Sequence, residues 1–142
     1  MSSQQLIESH RSNAEIITGE SQCKSKTQDL LSKFNLPKGL IPMTDVTEVG
    51  HNVSTGFVWV RRKKKLIHLF KSIGRKVSYD GEVTAFVEQG RMRNLSGVKS
   101  KELLIWVTVS DIFVGGENGK ITFGTPAGLA RSFPVTAFED EV

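Results

Sequence analysis

A two-residue alternation that begins at Phe57 is the strongest constraint on this chain. Phe57 and Trp59 alternate with Val58 and Val60, and beyond Arg61, Arg62, Lys63, Lys64 and Lys65 the same period resumes, with Leu66, His68 and Phe70 set against Ile67, Leu69 and Lys71. Side chains repeating every second residue point to opposite faces of an extended backbone, so both segments predict β-strands. The simplest geometry joins them as an antiparallel pair with the cations at the turn.

Charge is concentrated in the same place. Eight of the nineteen Lys and Arg residues lie between Arg61 and Lys76, with no Asp or Glu among them, in a chain whose net charge is +4. Such a cluster has two readings: a solvated edge that discourages strand pairing, or a surface for an anionic partner.

The amino terminus predicts helix. Ser2 and Gln5 have the spacing of a capping box, and Leu6, Ile7, His10, Ala14 and Ile17 recur at helical spacing before Gly19, which makes residues 1–20 a helical arm. A second helix is expected over residues 21–35. Cys23, Thr27, Leu30, Leu31 and Phe34 share one face, and Pro37 stops it. The run Leu36-Pro37-Lys38-Gly39-Leu40-Ile41-Pro42 alternates breakers with apolar anchors and predicts a fixed, partly buried connector.

Strand signals dominate residues 43–139. Val46 to His51 reads as a short strand, Gly74 as a turn, and Asp80-Gly81 as a hairpin between Lys76–Tyr79 and Glu82–Glu88. Residues 90–101 are polar and basic. Leu103 to Val114 is the most apolar strand, expected to be covered on both faces. Asn118-Gly119 turns the chain into Ile121–Thr125, Phe133, Val135 and Phe138 supply the last apolar positions, and residues 140–142 form an acidic tail. The pattern predicts one mainly β domain over residues 1–142: an antiparallel meander curled into a barrel, with one or two N-terminal helices packed on it.

With 38% hydrophobic residues, a chain of 142 can bury roughly two-thirds of its unfolded surface without covalent staples. Cys23 is the only cysteine, so there is no internal disulfide and no multi-cysteine zinc site; it reads as a small buried hydrophobe in a reducing compartment. No continuous apolar segment of a secretory signal opens the chain, and the longest apolar run, Leu103 to Val107, is far short of a membrane span. A cytoplasmic protein, peripheral on the endomembrane or plasma membrane if it meets lipid, is the expectation. The two glycosylation patterns, at Asn52 and Asn94, would then be idle.

Three segments carry a family resemblance: LPKGLIP, VSYDGEVTAFVEQGRMRNLSGVKSKELLIWVTVSDI, and GKITFGTPAGLARSFPVTAFE. Together they resemble the plant domain-of-unknown-function 538 family over roughly Leu30 to Glu139, and the pairing of GVKSKELLIWV with SFPVTAFE is specific. The preceding region, LIESHRSNAEIITGESQCKSK, is similar to the branch that includes the smaller-trichomes-with-variable-branches protein. The resemblance implies a plant protein, an antiparallel barrel with an N-terminal helix, and a role around stress and cell or trichome growth. It also implies a likeness to lipid-binding, bactericidal permeability-increasing proteins, and it supplies no catalytic residues.

The residues themselves narrow the chemistry. His10, His51 and His68 share no metal-ligand spacing with one another or with Cys23, and no Gly-x-Ser-x-Gly elbow exists. Gly115 to Lys120 has the wrong spacing for a phosphate loop and links strands; Asp80 and Glu82 flank a turn rather than face each other. No catalytic residue, cofactor or metal is therefore expected, which leaves a hydrolase only with a site assembled across the fold. Single-stranded nucleic acid is an alternative, because aromatic residues precede the cations, but all helical pattern lies before the sheet and Phe57 and Trp59 read as barrel core. A protein-interaction module is another.

Anionic membrane lipid, phosphoinositides included, asks least of the residues. Each Lys or Arg near such a surface contributes about 1 kcal/mol, so Arg61 to Lys65 would supply roughly 5 kcal/mol, enough for reversible recruitment. The expected lipid-binding residues are Arg61, Arg62, Lys63, Lys64, Lys65, Lys71, Arg75 and Lys76.

Overall fold

The computed structural model describes residues 1–115 and 119–139, so Asn118 of the expected turn and the tail at 140–142 lie outside the described residues. The fold is mainly β. Helix α1 (Ser3–His10) is followed by strand β1 (Ala14–Thr18) and helix α2 (Glu20–Lys33). The later strands are β2 (Val46–Asn52), β3 (Phe57–Arg62), β4 (Leu66–Phe70), β5 (Arg75–Glu88), β6 (Arg91–Glu102), β7 (Ile105–Thr108), β8 (Asp111–Val114), β9 (Lys120–Gly124) and β10 (Ala130–Pro134). They form one antiparallel sheet in the order β1-β2-β3-β5-β6-β8-β9-β10, with β4 on β5 and β7 on β6. The sheet curls around a core, but among the described residues no hydrogen bonds join β1 to β10, so it is an open curl rather than a closed barrel.

The capping box at Ser2 is present in both directions, Gln5 N–H to Ser2 Oγ at 3.2 Å and Ser2 N–H to Gln5 Oε1 at 2.8 Å. The expected helical arm nonetheless ends at His10. Ala14 to Thr18 pairs with Asn52 to Glu48 instead, because Ile16, Ile17 and Thr18 are β-branched and alternate across the two faces of a sheet edge.

Strands β5 and β6 organise the rest. Both are long and bent: their register shifts between Tyr79 and Phe86, and Gly97 sits at φ +90° where a Cβ would lie 2.5 Å from the Glu82 carbonyl oxygen. This glycine permits a bulge that two ordinary residues could not form. Asp80-Gly81 is accordingly a bend within β5, not the expected hairpin turn.

The bend lets one edge of β5 serve two partners. Phe57 to Arg61 pairs with Phe86 to Glu82, and Leu66 to Phe70 pairs with Tyr79 to Arg75. Strands β3 and β4 therefore run in the same direction along β5. The expected antiparallel pair with cations at its turn is replaced by one interrupted strand, in which residues 62–65 stand opposite residues 80 and 81. Alternation reports which face a residue occupies and carries no information about strand direction.

Two cores lie on opposite faces. Inside the curl, Val58 and Val60 of β3 pack with Leu31 and Cys23 of α2, with Leu36, Leu40 and Ile41 of the connector, and with Tyr79, Phe123 and Phe138. Outside it, Phe57 and Trp59 are sealed by Ile7 of α1, with Leu6, Ile16 and Phe86 around them. The two aromatic side chains are buried as expected, but under α1 rather than in the curl.

Candidate functional site

The eight cations divide by what surrounds them. Arg61 donates from Nε to Glu82 at 3.0 Å and from Nη1 to Glu48 at 3.3 Å. Glu48 is a hub: it also accepts from Trp59 Nε1 at 2.7 Å and from Arg11 at 3.0 Å. Burial pushes its carboxyl up, yet the hydrogen bonds from Trp59 and Arg11 and the charges of Arg11 and Arg61 outweigh this and hold it below its ordinary value. Arg61 thus ties β3 to its neighbours.

Arg62 is only 5% exposed. Its guanidinium donates to the carbonyls of Pro42 at 3.0 Å and Thr44 at 3.2 Å and lies over the Tyr79 ring, whose hydroxyl in turn donates to Leu40 at 2.8 Å. Residues 36–45 have no ladder of their own, so these two buried side chains supply the partners that the carbonyls of Leu40, Pro42 and Thr44 need. The expected solvated role of Arg62 is corrected here: it fastens the connector to the sheet.

Lys63, Lys64 and Lys65 are exposed, with no carboxylate within 4 Å among the described residues. The Lys63 N–H donates to the Asp45 carbonyl at 3.0 Å, which anchors the backbone of the segment that joins β3 to β4. Between this joining segment and the β4–β5 turn, β4 leaves Ile67 and Leu69 exposed while Leu66, His68 and Phe70 turn inward.

At the far end of β4, Lys71 and Lys76 are exposed and likewise unpaired among the described residues. Arg75 is not free: it pairs with Glu102, lies over the Phe133 ring, and shares Glu102 with Arg131, whose Nε is 2.8 Å from the carboxylate. Five of the expected residues, Lys63, Lys64, Lys65, Lys71 and Lys76, thus remain open to solvent, and Arg61, Arg62 and Arg75 are engaged within the fold.

Sequence reasoning missed the next feature. Leu103 to Val114 is not one strand covered on both sides: residues 103 and 104 are a two-residue loop between β6 and β7, and they are 95% and 91% exposed. Ile105 and Trp106 follow, also exposed, with Lys101 Nζ 5.7 Å from the Trp106 ring centre. An open groove of about 960 Å³ runs below this hairpin, bounded by Arg75, Lys76, Lys101, Leu104, Leu129 and Arg131. A cavity of about 50 Å³ lined by Val107, Val109, Phe123 and Phe133 shares Val107, Leu129 and Arg131 with it. Five consecutive apolar residues exceed what one buried face of a strand needs, and that excess was the available signal.

The histidines do not converge. His10 stacks on Phe57 at 4.3 Å, His51 is buried edge-on to Phe34, and His68 lies beside Phe70. Cys23 is buried, which pushes its thiol up, and its Sγ lies 3.4 Å from the Ile17 carbonyl oxygen. Among the described residues no group of three His, Cys, Asp or Glu side chains could hold a metal ion, and no helix is long and apolar enough to cross a membrane.

Residues 27–139 match the sequence model described as Protein of unknown function, DUF538. The chain belongs to this family. The match begins inside α2 and ends beyond β10, so the DUF538 region includes the β3–β4 joining segment, both exposed lysine groups and the hairpin, while α1 and β1 precede it. No curated protein and no solved structure matches the chain.

Proposed function

We propose that this DUF538 protein is a non-enzymatic, peripheral binder of anionic membrane lipid headgroups, phosphoinositides among them, acting on the cytoplasmic side of the endomembrane or plasma membrane. One observation carries the reading. Five lysines without carboxylate partners among the described residues bracket the outer side of β4, which exposes Ile67 and Leu69 between them. At about 1 kcal/mol each near an anionic surface, they supply about 5 kcal/mol, which suits reversible recruitment. We further propose, from the family resemblance of the sequence, that this binding serves plant stress response and cell or trichome growth.

The test is flotation with phosphoinositide-containing, phosphatidylserine-containing and neutral liposomes, beside a single-stranded RNA shift at matched salt. Replacing Lys63, Lys64 and Lys65 by Gln should remove most binding to the anionic liposomes, and neutral liposomes should hold neither protein. Lys71→Gln with Lys76→Gln reports whether the whole β4 face takes part. Retention of RNA without lipid would transfer the function to nucleic acid, and retention of neither would transfer it to a protein partner.

A further inference from the structure

We infer that the β6–β7 hairpin tip, Leu103 to Trp106, is a membrane-insertion element whose apolar side chains enter the acyl boundary of an anionic bilayer. The inference rests on the lipid reading above and adds the part of the protein that penetrates.

The backbone is the first observation. Among the described residues, four non-glycine positions have positive φ: Asn35, Asp45, Asn94 and Leu103. Asn and Asp tolerate this region through local hydrogen bonds, whereas Leu103, at φ +54° in the first position of a two-residue hairpin loop, occupies a place suited to glycine. A leucine there is strained and, at 95% exposure, buries nothing. Neither cost stabilises the fold, and strain kept without a folding benefit points to use at a surface.

Charge complementarity selects the occupant. Leu69 pairs with Lys76 and Lys101 with Trp106, and because Val77 pairs with Ser100, the antiparallel register carried one residue further sets Lys76 beside Lys101, giving one row across β4, β5, β6 and β7. The β4–β5 turn, with Lys71, lies at the same end of the sheet as the loop, because Arg75 and Glu102 end their strands side by side. The nearby carboxylate, Glu102, is already held by Arg75 and Arg131. A protruding apolar tip collared by Lys71, Lys76, Lys101 and an interfacial indole matches a bilayer edge: apolar groups reach the acyl boundary while ammonium and Trp side chains stay at headgroup level.

The experiment uses the full chain with vesicles of phosphatidylserine and acyl-brominated phosphatidylcholine, reading flotation and tryptophan quenching. Trp59 is sealed under α1, so quenching should report Trp106 and disappear in Trp106→Phe. The variant Leu103→Gly with Leu104→Ser relieves the strained φ and should fold at least as stably as the parent. Its partition into vesicles should fall about tenfold or more, from the loss of two buried leucines. The wild type should also keep a salt-resistant fraction of binding that the variant lacks. Wild-type flotation without Trp106 quenching, or equal flotation of the variant, overturns insertion and leaves headgroup binding standing. No flotation of the wild type on these vesicles overturns insertion, and its failure on phosphoinositide vesicles as well overturns both. A wild type that dimerises through the tip, with a monomeric variant, assigns the tip to a second copy of the chain and overturns the inference.

Discussion

The indole of Trp59 lies directly against the backbone of Gly50, its cross-strand partner, so closely that a Cβ on residue 50 would sit 2.1 Å from the ring. The contact sets how deeply Trp59 settles beneath Ile7, and it brings Nε1 within 2.7 Å of Glu48. A single missing methyl thus holds α1, β2 and β3 in register.

Gly50→Ala should therefore cost about 3 kcal/mol or more, since neither the indole nor the strand backbone can yield without breaking the Glu48 hydrogen bond. Urea denaturation followed by tryptophan fluorescence measures it. An unchanged midpoint would mean that Trp59 has another place to go.

The basic cluster should separate into structural and surface members. Arg62→Gln leaves the Pro42 and Thr44 carbonyls short of a buried donor and removes the cation from the Tyr79 face, a loss of roughly 2–4 kcal/mol. Lys64→Gln, on an exposed side chain, should move stability by less than about 0.5 kcal/mol. Equal effects in thermal denaturation would refute this division.

Acidification should weaken the fold before the carboxylates titrate. Burial, followed by the nearby charge of Lys26, holds His51 below its ordinary value of 6.5. The unfolded chain then binds a proton that the native state refuses, so stability is full above pH 6.5 and falls as pH drops below it toward the folded value. His51→Gln should flatten the slope of denaturation midpoint against pH between about 7 and 5.5. A slope that survives the substitution would assign the effect elsewhere.

Helix α1 should behave as a cover. Ile7→Ser removes the buried side chain that closes Phe57 and Trp59 from above and puts a hydroxyl there, costing about 3 kcal/mol. An apolar-surface dye should bind the variant under native conditions. If it does not, Phe57 and Trp59 are protected without α1.

Much of this molecule is legible from residue order alone. Period-two alternation specifies strands in Val46–Asn52, Phe57–Arg62 and Leu66–Phe70, a capping box starts α1, and helical spacing places Cys23, Thr27 and Leu31 on the buried face of α2. These signals are local, because a side chain's face follows from its own backbone period. Tertiary structure decided which partner each face meets. Alternation is the same whether Phe57 faces the curl or α1, whether β3 and β4 fold back or run on, and whether an Arg solvates or satisfies a buried carbonyl. Each of those outcomes depends on the bends of β5 and β6, which bring Arg62 to Pro42 across twenty residues and Arg75 to Glu102 across two strands. The apolar run from Leu103 to Val107 shows the same limit: composition marks it as hydrophobic, and only a turn at Leu103 turns it out of the core.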